Sequence, residues 1–471
     1  MRARFYILSM LGLLAVGLWA CDGQPPQATS DTSSLGDGWA IKRDASQIDD
    51  TAPEPDTETP PLPDTSSADT YAGDTSTPDD TTAPDAGVDA GNPQYKTLIQ
   101  SAKDLLSQSE ATGAGIAIVE NGKLQMATGI GTKIRGQNAP VDAQTIFDMG
   151  RISSTLLSTA TNSLDEQGKI DITKSLQSHV PFFDAVPSMW AKKITLKQLL
   201  THTSGYPGWI DYQSYSGNLR SKTSLEGIFK QITDADLMIA PGTIYNYSNH
   251  GYSLAALALE KTTGTHFRDV VRREVLKPLG MNGATYKPST IQNRAYGYYP
   301  QQGTTRSYDP GTRPDIPFTD AFTGAFGSAT DAGKFLEMFV NDGKPVLSKK
   351  KLQEIYNSPV PDHFDSLQGE MGMGVLTRKT FRGTRIVVLN GGGYGFASML
   401  LAIPKKDFGV AILMNYGPRN RIPGQFVSQA MVRLTGIKMP NPVSRFPKSE
   451  WSKVTGTYKG DRMLGTVEIT N

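Results

Sequence analysis

The chain of 471 residues contains a single cysteine and five histidines, and each scarcity narrows the chemistry available to it. Cys21 has no second thiol to pair with, so an intramolecular disulfide is excluded even if the protein is exported. The histidines show neither a His-x-x-x-His spacing nor a grouping with cysteine of the kind that binds zinc. We therefore expect no metal and no other cofactor.

Other recurrent motifs are missing as well. Lysine and arginine do not form a stripe interleaved with aromatic residues, so nucleic acid is not an expected partner. The glycine-rich residues 391–395 lack the Gly-Lys-Ser/Thr ending of a phosphate-binding loop, and no Gly-x-Ser-x-Gly elbow occurs. Phosphoryl transfer and the nucleophile-elbow type of hydrolysis therefore have no support in the sequence.

Residues 1–21 have the pattern of a targeting segment. Arg2 and Arg4 precede an apolar run, residues 5–20, that is shorter than the about 20 residues of a transmembrane helix. The run ends Leu-Trp-Ala before Cys21, which resembles a bacterial lipoprotein signal, whose cysteine receives a diacylglycerol. The resemblance implies an exported protein that is anchored by lipid on Cys21 to a bacterial membrane, on its periplasmic or cell-surface side. An ordinary secretory peptide with an incidental cysteine is the alternative.

Residues 22–92 change to Asp, Thr, Pro, Ser, Ala and Gly and contain 16 acidic and two basic residues. Such a segment cannot bury enough apolar surface to offset its backbone entropy, so we predict a disordered acidic tether. Because the whole chain carries +1, residues 1–21 carry +2 and residues 22–92 carry −14, the remaining residues 93–471 carry about +13. A basic domain favours anionic partners. The alternative is that tether and domain merely balance each other.

Two strands at the start of the domain and three near its end are predicted from periodicity and turn signals. An Asn-Gly pair at 121–122 joins the first two as a hairpin. The predicted strands cover residues 115–119, 123–127, 385–389, 397–402 and 408–413, and the predicted terminal helices cover residues 94–109 and 424–434.

These elements predict an α+β fold of the α/β sandwich type. A five-stranded antiparallel sheet is built from both ends of the domain 93–440 and flanked by helices, and residues 150–345 form a helical subdomain. We expect a site in the crevice between sheet and helical subdomain. Residues 441–471 are predicted to form a short β-rich C-terminal extension.

Several ordered segments from about residue 94 to 436 together resemble the superfamily of serine β-lactamases, penicillin-binding proteins and class C esterases. The resemblance implies that superfamily's β-lactamase/transpeptidase-like fold. The segments that carry it are residues 147–160, 166–172, 194–205, 241–252, 277–281 and 390–396.

In that superfamily a serine nucleophile opens a helix, and a lysine three residues later on the same face takes its proton. This sequence has Arg151 at the serine position and Ser154 at the lysine position. Neighbouring Ser153 does not substitute for the nucleophile, because Leu156 stands where its lysine would be needed. Ser348 opens a formal Ser-x-x-Lys but is typical of a helix cap.

The other elements are partly kept. Tyr247 matches the general-base tyrosine, as a remnant, and Asn249 matches the amide that holds the polar side of a substrate. Asn390, Gly391 and Gly392 stand where the third ligand-binding element begins, without its usual cation or aromatic residue. Backbone amides at residue 151 and near residues 396–397 are expected to keep an oxyanion hole, since amides need no particular side chain.

The pattern favours a pseudoenzyme that binds a cell-envelope ligand. Arg151 could hold a carboxylate of a peptidoglycan-derived or other anionic small molecule, with Asp148 as its compensating partner. A decayed site with Arg151 pointing to solvent is an equal alternative. Two further alternatives are a serine hydrolase of the esterase, β-lactamase or D-Ala peptidase type with a rearranged nucleophile, and a structural protein whose crevice stays empty.

Overall fold

The computed structural model describes residues 41–43, 92–185, 187–208, 224–232, 237, 239–357, 369–379, 383–417, 421–438, 456–459 and 466–469. These residues belong to two compact units, one formed by residues 85–445 and one by residues 1–84 together with 446–471. The predicted signal segment and most of the predicted tether lie outside the described residues. Within the described part of the chain, no helix combines the length and apolarity that crossing a membrane requires.

The larger unit is organised around one antiparallel sheet of seven strands in the order β2-β1-β7-β6-β5-β4-β3. Its strands are β1 (Gly113–Glu120), β2 (Lys123–Gly131), β3 (Glu370–Met371), β4 (Leu376–Lys379), β5 (Arg385–Gly393), β6 (Phe396–Ile403) and β7 (Phe408–Met414). Asn121 (φ 55°) and Gly122 (φ 73°) are both left-handed, as the predicted Asn-Gly hairpin requires. The fold class and the five predicted strands are therefore confirmed.

The sheet has two strands more than predicted. β3 and β4 extend it beyond β5, with Glu370 paired to Thr377 and Arg385 paired to Lys379. β3, the strand at the edge of the sheet, has only two residues, and β4 beside it is mostly polar. Short and polar strands at a sheet edge discourage pairing with other chains. Such short polar segments carry no alternating hydrophobic signal, so sequence periodicity does not find them.

The sheet separates two layers. Along β7, Val410 and Ile412 face the terminal helices, whereas Ala411 and Leu413 face the opposite core. This alternation is the two-residue period of a strand buried on both faces. The terminal helices α1 (Pro93–Ser107) and α12 (Ile422–Thr435) agree with the two predicted ones.

The segment between β2 and β3 is mainly helical, as predicted. Its α-helices are α2 (Ile152–Glu166), α3 (Ser188–Ala191), α4 (Leu196–Leu200), α5 (Leu225–Phe229), α6 (Asn249–Thr263), α7 (Phe267–Val271), α8 (Lys277–Leu279), α9 (Pro317–Thr323), α10 (Ala329–Val340) and α11 (Lys349–Tyr356). The shorter elements are a π-helical turn (Arg272–Leu276), 3-10 turns (Leu176–Ser178, Pro288–Thr290, Pro310–Thr312 and, after β6, Pro404–Lys406), a hairpin (Gly297–Gln301 with Thr304–Tyr308) and a two-residue pair (Phe147–Asp148 with Phe326–Gly327).

The smaller unit contains a three-stranded antiparallel sheet. Its strands are Ile41–Arg43, Thr466–Ile469 and Gly456–Lys459, in that order. The two C-terminal strands agree with the predicted β-rich extension. The third strand was not predicted, because Ile41–Arg43 lies within the composition-biased segment assigned to the tether. Apart from these residues and Asn92, that segment lies outside the described residues.

Candidate functional site

The site is centred on residues 147–151, which form a turn leading into α2. Gly150 is left-handed (φ 52°) and accommodates the reversal from strand to helix. Arg151 is the N-cap residue of α2 and makes no side-chain capping hydrogen bond. A cap residue usually accepts an amide hydrogen with a short side-chain oxygen, which a guanidinium cannot do. The first amides of α2 therefore lack the usual side-chain cap.

Backbone contacts bind this turn to β5. A Cβ built on Gly391 would lie 2.1 Å from the Met149 carbonyl oxygen, and one on Gly150 would lie 2.3 Å from the Gly392 amide nitrogen. The lack of a side chain at Gly391 and at Gly150 therefore allows the strand to touch the turn. A Cβ on Gly392 itself would meet only the Phe396 carbonyl oxygen, at 3.5 Å. Asn390, just before them, is exposed.

The contact also corrects the expected position of the second oxyanion donor. β5 touches the turn through Gly391 and Gly392, whereas Phe396 and Ala397 lie on β6, the next strand of the sheet. The Phe396 ring packs edge-on against Phe147, with centroids 6.4 Å apart. A backbone amide that acts together with residue 151 is therefore to be sought on β5.

The structure brings Arg151, Tyr247 and Asn249 together. The Arg151 Cζ atom lies 4.9 Å from the centre of the Tyr247 ring, a cation–π arrangement. The Tyr247 hydroxyl donates a hydrogen bond of 2.7 Å to Asn249 Oδ1. These three residues, the turn 147–151 and residues 390–393 adjoin one another. We call this place the junction. It contains all the ligand-binding residues that the sequence predicts.

Tyr247 is held by aromatic neighbours. The His202 ring lies 4.4 Å from the Tyr247 ring and 5.1 Å from Tyr252, centroid to centroid. His202 Nδ1 accepts the Ser248 amide at 3.0 Å. Burial, with help from the Arg151 charge, lowers the pKa of His202 to about 3. His202 is therefore neutral and supports the loop.

Tyr247 is a hydrogen-bond donor in this environment. Part of its side chain reaches solvent, yet burial raises its pKa above the ordinary value of 10.0, and the Arg151 charge only partly opposes this. At neutral pH the phenol keeps its proton and donates it to Asn249. A phenol that holds its proton acts as a hydrogen-bond donor rather than as a proton acceptor.

The two serines in the first turn of α2 have different surroundings. Ser153 is fully buried, donates a hydrogen bond of 2.6 Å to the Gly150 carbonyl and accepts the Ala325 amide at 2.8 Å. Ser154 is 9% exposed, and its hydroxyl bonds to none of the described residues. In the described part of the chain, no lysine lies within hydrogen-bond distance of either hydroxyl. Neither serine has the activated geometry of a nucleophile.

Asp148 does not compensate Arg151, contrary to expectation. Its carboxylate accepts the Gly150 amide at 2.7 Å and faces Gly393 on β5. Burial raises the pKa of Asp148 to about 6, although the nearby charge of Arg313 partly opposes this rise. No carboxylate of the described residues forms an ion pair with Arg151.

Sequence reasoning missed the buried charges behind Asp148. Arg313 Nη1 lies 2.5 Å from Asp320 Oδ1, and Arg268 pairs with Asp320 and Asp315. These residues are distant from the turn in sequence and match no short motif. Asp320 lies on α9, Arg268 on α7, and Arg313 and Asp315 just before α9, so tertiary packing brings these charges together.

The pKa of Asp148 gives a testable dependence of stability on pH. Because this pKa is about 6 in the folded protein and ordinarily 3.8, the folded state binds the proton more tightly. The stability that this carboxyl contributes is therefore present below the ordinary pKa and is lost as pH rises through about 6. We compare the free energies of unfolding of Asp148→Asn and of the unmodified chain, measured with urea. Their difference should change in favour of Asp148→Asn by on the order of 3 kcal/mol as the pH rises from 3.5 to 8. Parallel pH profiles for the two proteins would contradict this.

In the described part of the chain, no group of three or more His, Cys, Asp or Glu side chains could hold a metal ion. The junction itself offers a guanidinium, a phenol, an amide and backbone amides, which are groups that bind anions and polar organic molecules.

A model of the Beta-lactamase family matches residues 96–424, which is more than half of the chain. The chain belongs to the Beta-lactamase family. The match contains every residue of the junction.

Among curated proteins, "Protein flp" of Staphylococcus aureus (strain MW2) is 25% identical over 315 residues, which are 66% of this chain and 61% of that protein. The chain therefore spans less than two thirds of the length of these first relatives. The D-alanyl-D-alanine-carboxypeptidase/endopeptidase AmpH of Escherichia coli (strain K12) is 23% identical over 350 residues, covering 70% of this chain and 86% of that protein.

Among solved structures, the octameric penicillin-binding protein homologue from Pyrococcus abyssi aligns with a TM-score of 0.61. It is 21% identical, and the alignment covers 80% of this chain and 85% of that chain. At this identity the likeness shows the shared Beta-lactamase family fold alone.

Proposed function

We propose that this chain is a non-hydrolysing member of the Beta-lactamase family that binds a small carboxylate ligand of the cell envelope, such as a peptidoglycan fragment, at the junction. One observation carries the proposal: Arg151 is exposed at the first turn of α2 and has no described carboxylate as its ion-pair partner.

Two sources of positive potential coincide at Arg151. The N-terminus of the 15-residue helix α2 carries the positive end of the helix dipole, and the guanidinium adds a full charge. The first three amides of α2 are bonded to the carbonyl oxygens of residues 149–151, so the guanidinium is the group left to bind an anion. The Tyr247 ring face beneath Arg151 partly offsets this and fixes the guanidinium position. An incoming carboxylate supplies the compensation that the chain itself lacks.

The same residues disfavour hydrolysis. By resemblance, Arg151 and Ser154 occupy the nucleophile and lysine positions, and the alternatives nearby lack an activating base. Without an activated nucleophile, oxyanion donors and substrate binding accelerate hydrolysis only roughly 10³–10⁴-fold over the reaction in water. An enzyme of this type needs the activated nucleophile to go beyond that.

Binding of a simple carboxylate tests the role of Arg151. We expect Arg151→Ala to weaken binding of N-acetylglycylglycine about tenfold, as measured by calorimetry, because a charge-assisted hydrogen bond is lost. The uncharged N-acetylglycylglycinamide should bind weakly and equally to both proteins.

Arg421 provides a matched control. It is also an exposed arginine at the N-cap of a long helix without a side-chain capping bond, but it lies at α12. Arg421→Ala should leave the affinity for N-acetylglycylglycine unchanged. An equal loss of affinity in the two variants, or no loss in either, would contradict the proposed carboxylate pocket.

Labelling tests the alternative of a rearranged serine hydrolase. Intact-mass spectrometry after incubation with a labelled penicillin and an activated phosphonate should find no adduct on a cooperatively melting protein. An adduct on Ser153, Ser154 or Tyr247 would instead establish a hydrolase.

We propose that this binding takes place on the periplasmic or cell-surface side of a bacterial membrane, to which lipid on Cys21 tethers the domain. The support is the sequence of residues 1–21 and the acidic composition of residues 22–92. Incorporation of a clickable fatty acid that disappears in Cys21→Ala is the expected result, and unlabelled wild-type protein would refute the anchor.

A further inference from the structure

A tyrosine projects from the protein surface at the turn between β5 and β6. Gly393 and Phe396 are the last paired residues of these strands, so Tyr394 and Gly395 form a two-residue turn. The Tyr394 side chain is 73% exposed. Among the described residues, the other large apolar side chain with such exposure is Met189, on α3.

The turn that carries Tyr394 is held firmly. The Gly395 carbonyl accepts the Tyr298 amide at 3.0 Å, which ties the turn to the hairpin Gly297–Gln301/Thr304–Tyr308. Gly395 is left-handed (φ 79°), and a Cβ on it would lie 2.4 Å from the Tyr298 nitrogen. Contacts this close leave the turn no room to shift toward the hairpin.

The ring of Tyr394 is also supported. It lies against Tyr308, with centroids 5.8 Å apart and an interplanar angle of 49°. Tyr308 is partly buried, and the charges that act on its phenol include Arg313 and Asp148 at the base of the junction. One side of Tyr394 is therefore supported by a fixed neighbour, and most of its ring surface remains free for a ligand.

Tyr394 follows directly on the glycines of β5 that contact the turn before Arg151. Gly392 touches Gly150, the residue that precedes Arg151. The α-carbons of Gly392 and Tyr394 are separated by at most about 7 Å, since they are two steps apart along an extended chain. Gly393 lies between them and adds no side chain. A molecule about as long as a dipeptide could contact the guanidinium and the ring together.

We infer that Tyr394, supported by Tyr308, is an aromatic subsite beside Arg151. The ligand class it selects is a small molecule with a carboxylate at one end and a flat apolar ring about a dipeptide length away. This rests on the proposed function, because Arg151 is the carboxylate anchor. Stacking on a fixed tyrosine contributes affinity at little entropic cost, since the platform is already ordered.

Three probes separate the two contacts when titrated calorimetrically into the full chain. Hippurylglycine has both groups, N-acetylglycylglycine has the carboxylate without the ring, and hippurylglycinamide has the ring without the carboxylate. We expect hippurylglycine to bind about threefold to tenfold more tightly than N-acetylglycylglycine.

The variants assign this gain to a residue. Tyr394→Ala should abolish the difference between the two carboxylates while leaving the affinity for N-acetylglycylglycine unchanged, and Tyr394→Phe should keep the difference. Met189→Ala removes a comparably exposed apolar side chain on α3 and should change nothing.

The failures of the subsite and of the proposed function are distinguishable. Equal binding of the two carboxylates by the unmodified chain, or equal weakening of both by Tyr394→Ala, would overturn the subsite but leave an Arg151-dependent carboxylate pocket in place. Probe binding that ignores Arg151→Ala, or no binding of any probe, would overturn both.

Discussion

Replacing Arg151 by serine and Ser154 by lysine in one protein is expected to raise its rate of activated-ester hydrolysis about 10²–10⁴-fold, the usual contribution of a positioned general base to a nucleophile. The two positions are three residues apart at the start of α2, so their side chains share a face. Tyr247, Asn249 and the backbone amides of the turn and of β5 are already in place around them. The measurement is hydrolysis of p-nitrophenyl acetate, with acyl-enzyme detection by mass spectrometry.

Two matched proteins make the result specific. Arg151→Ala combined with Ser154→Lys has the base without a nucleophile, and Arg151→Ser alone has the nucleophile without the base. Both should remain near the background rate. A double variant that folds but stays inert would show that the junction has lost more than these two side chains, and an active unmodified chain would contradict the non-hydrolysing assignment.

Gly150→Ala is expected to destabilise the fold by about 2–5 kcal/mol. A left-handed backbone costs a non-glycine residue about 1–2 kcal/mol, and overpacking adds about 1–3 kcal/mol. The overpacking is specific: the new methyl group would lie 2.3–2.6 Å from backbone atoms of Gly392, which a rotamer change cannot relieve. The free energy of unfolding from urea titration measures the effect.

Gly168, beyond the end of α2, separates the two causes. It has a similar left-handed conformation (φ 68°), but a Cβ there meets no atom within 4 Å. Gly168→Ala should therefore lose only the conformational part, about 1–2 kcal/mol. Similar losses for the two variants would show that the turn can move away from β5, which would contradict the tight contact described here.

Much of the architecture could be predicted because it is local. The hairpin at Asn121 and Gly122, the alternating strands and the terminal helices each have a signal within a dozen residues. β3 and β4 could not be predicted, because the pairing of β4 with β5 and of β3 with β4 is what makes them strands.

The sequence by itself also predicted, through its resemblance to the family, that Arg151, Tyr247 and Asn249 occupy the family's site positions. Only the tertiary structure decided what those side chains meet. It turns Asp148 toward Arg313 and leaves Arg151 on the Tyr247 ring. The physical reason is that burial, charge pairing and close contact are properties of surroundings, and the surroundings here come from segments that are far apart in the chain.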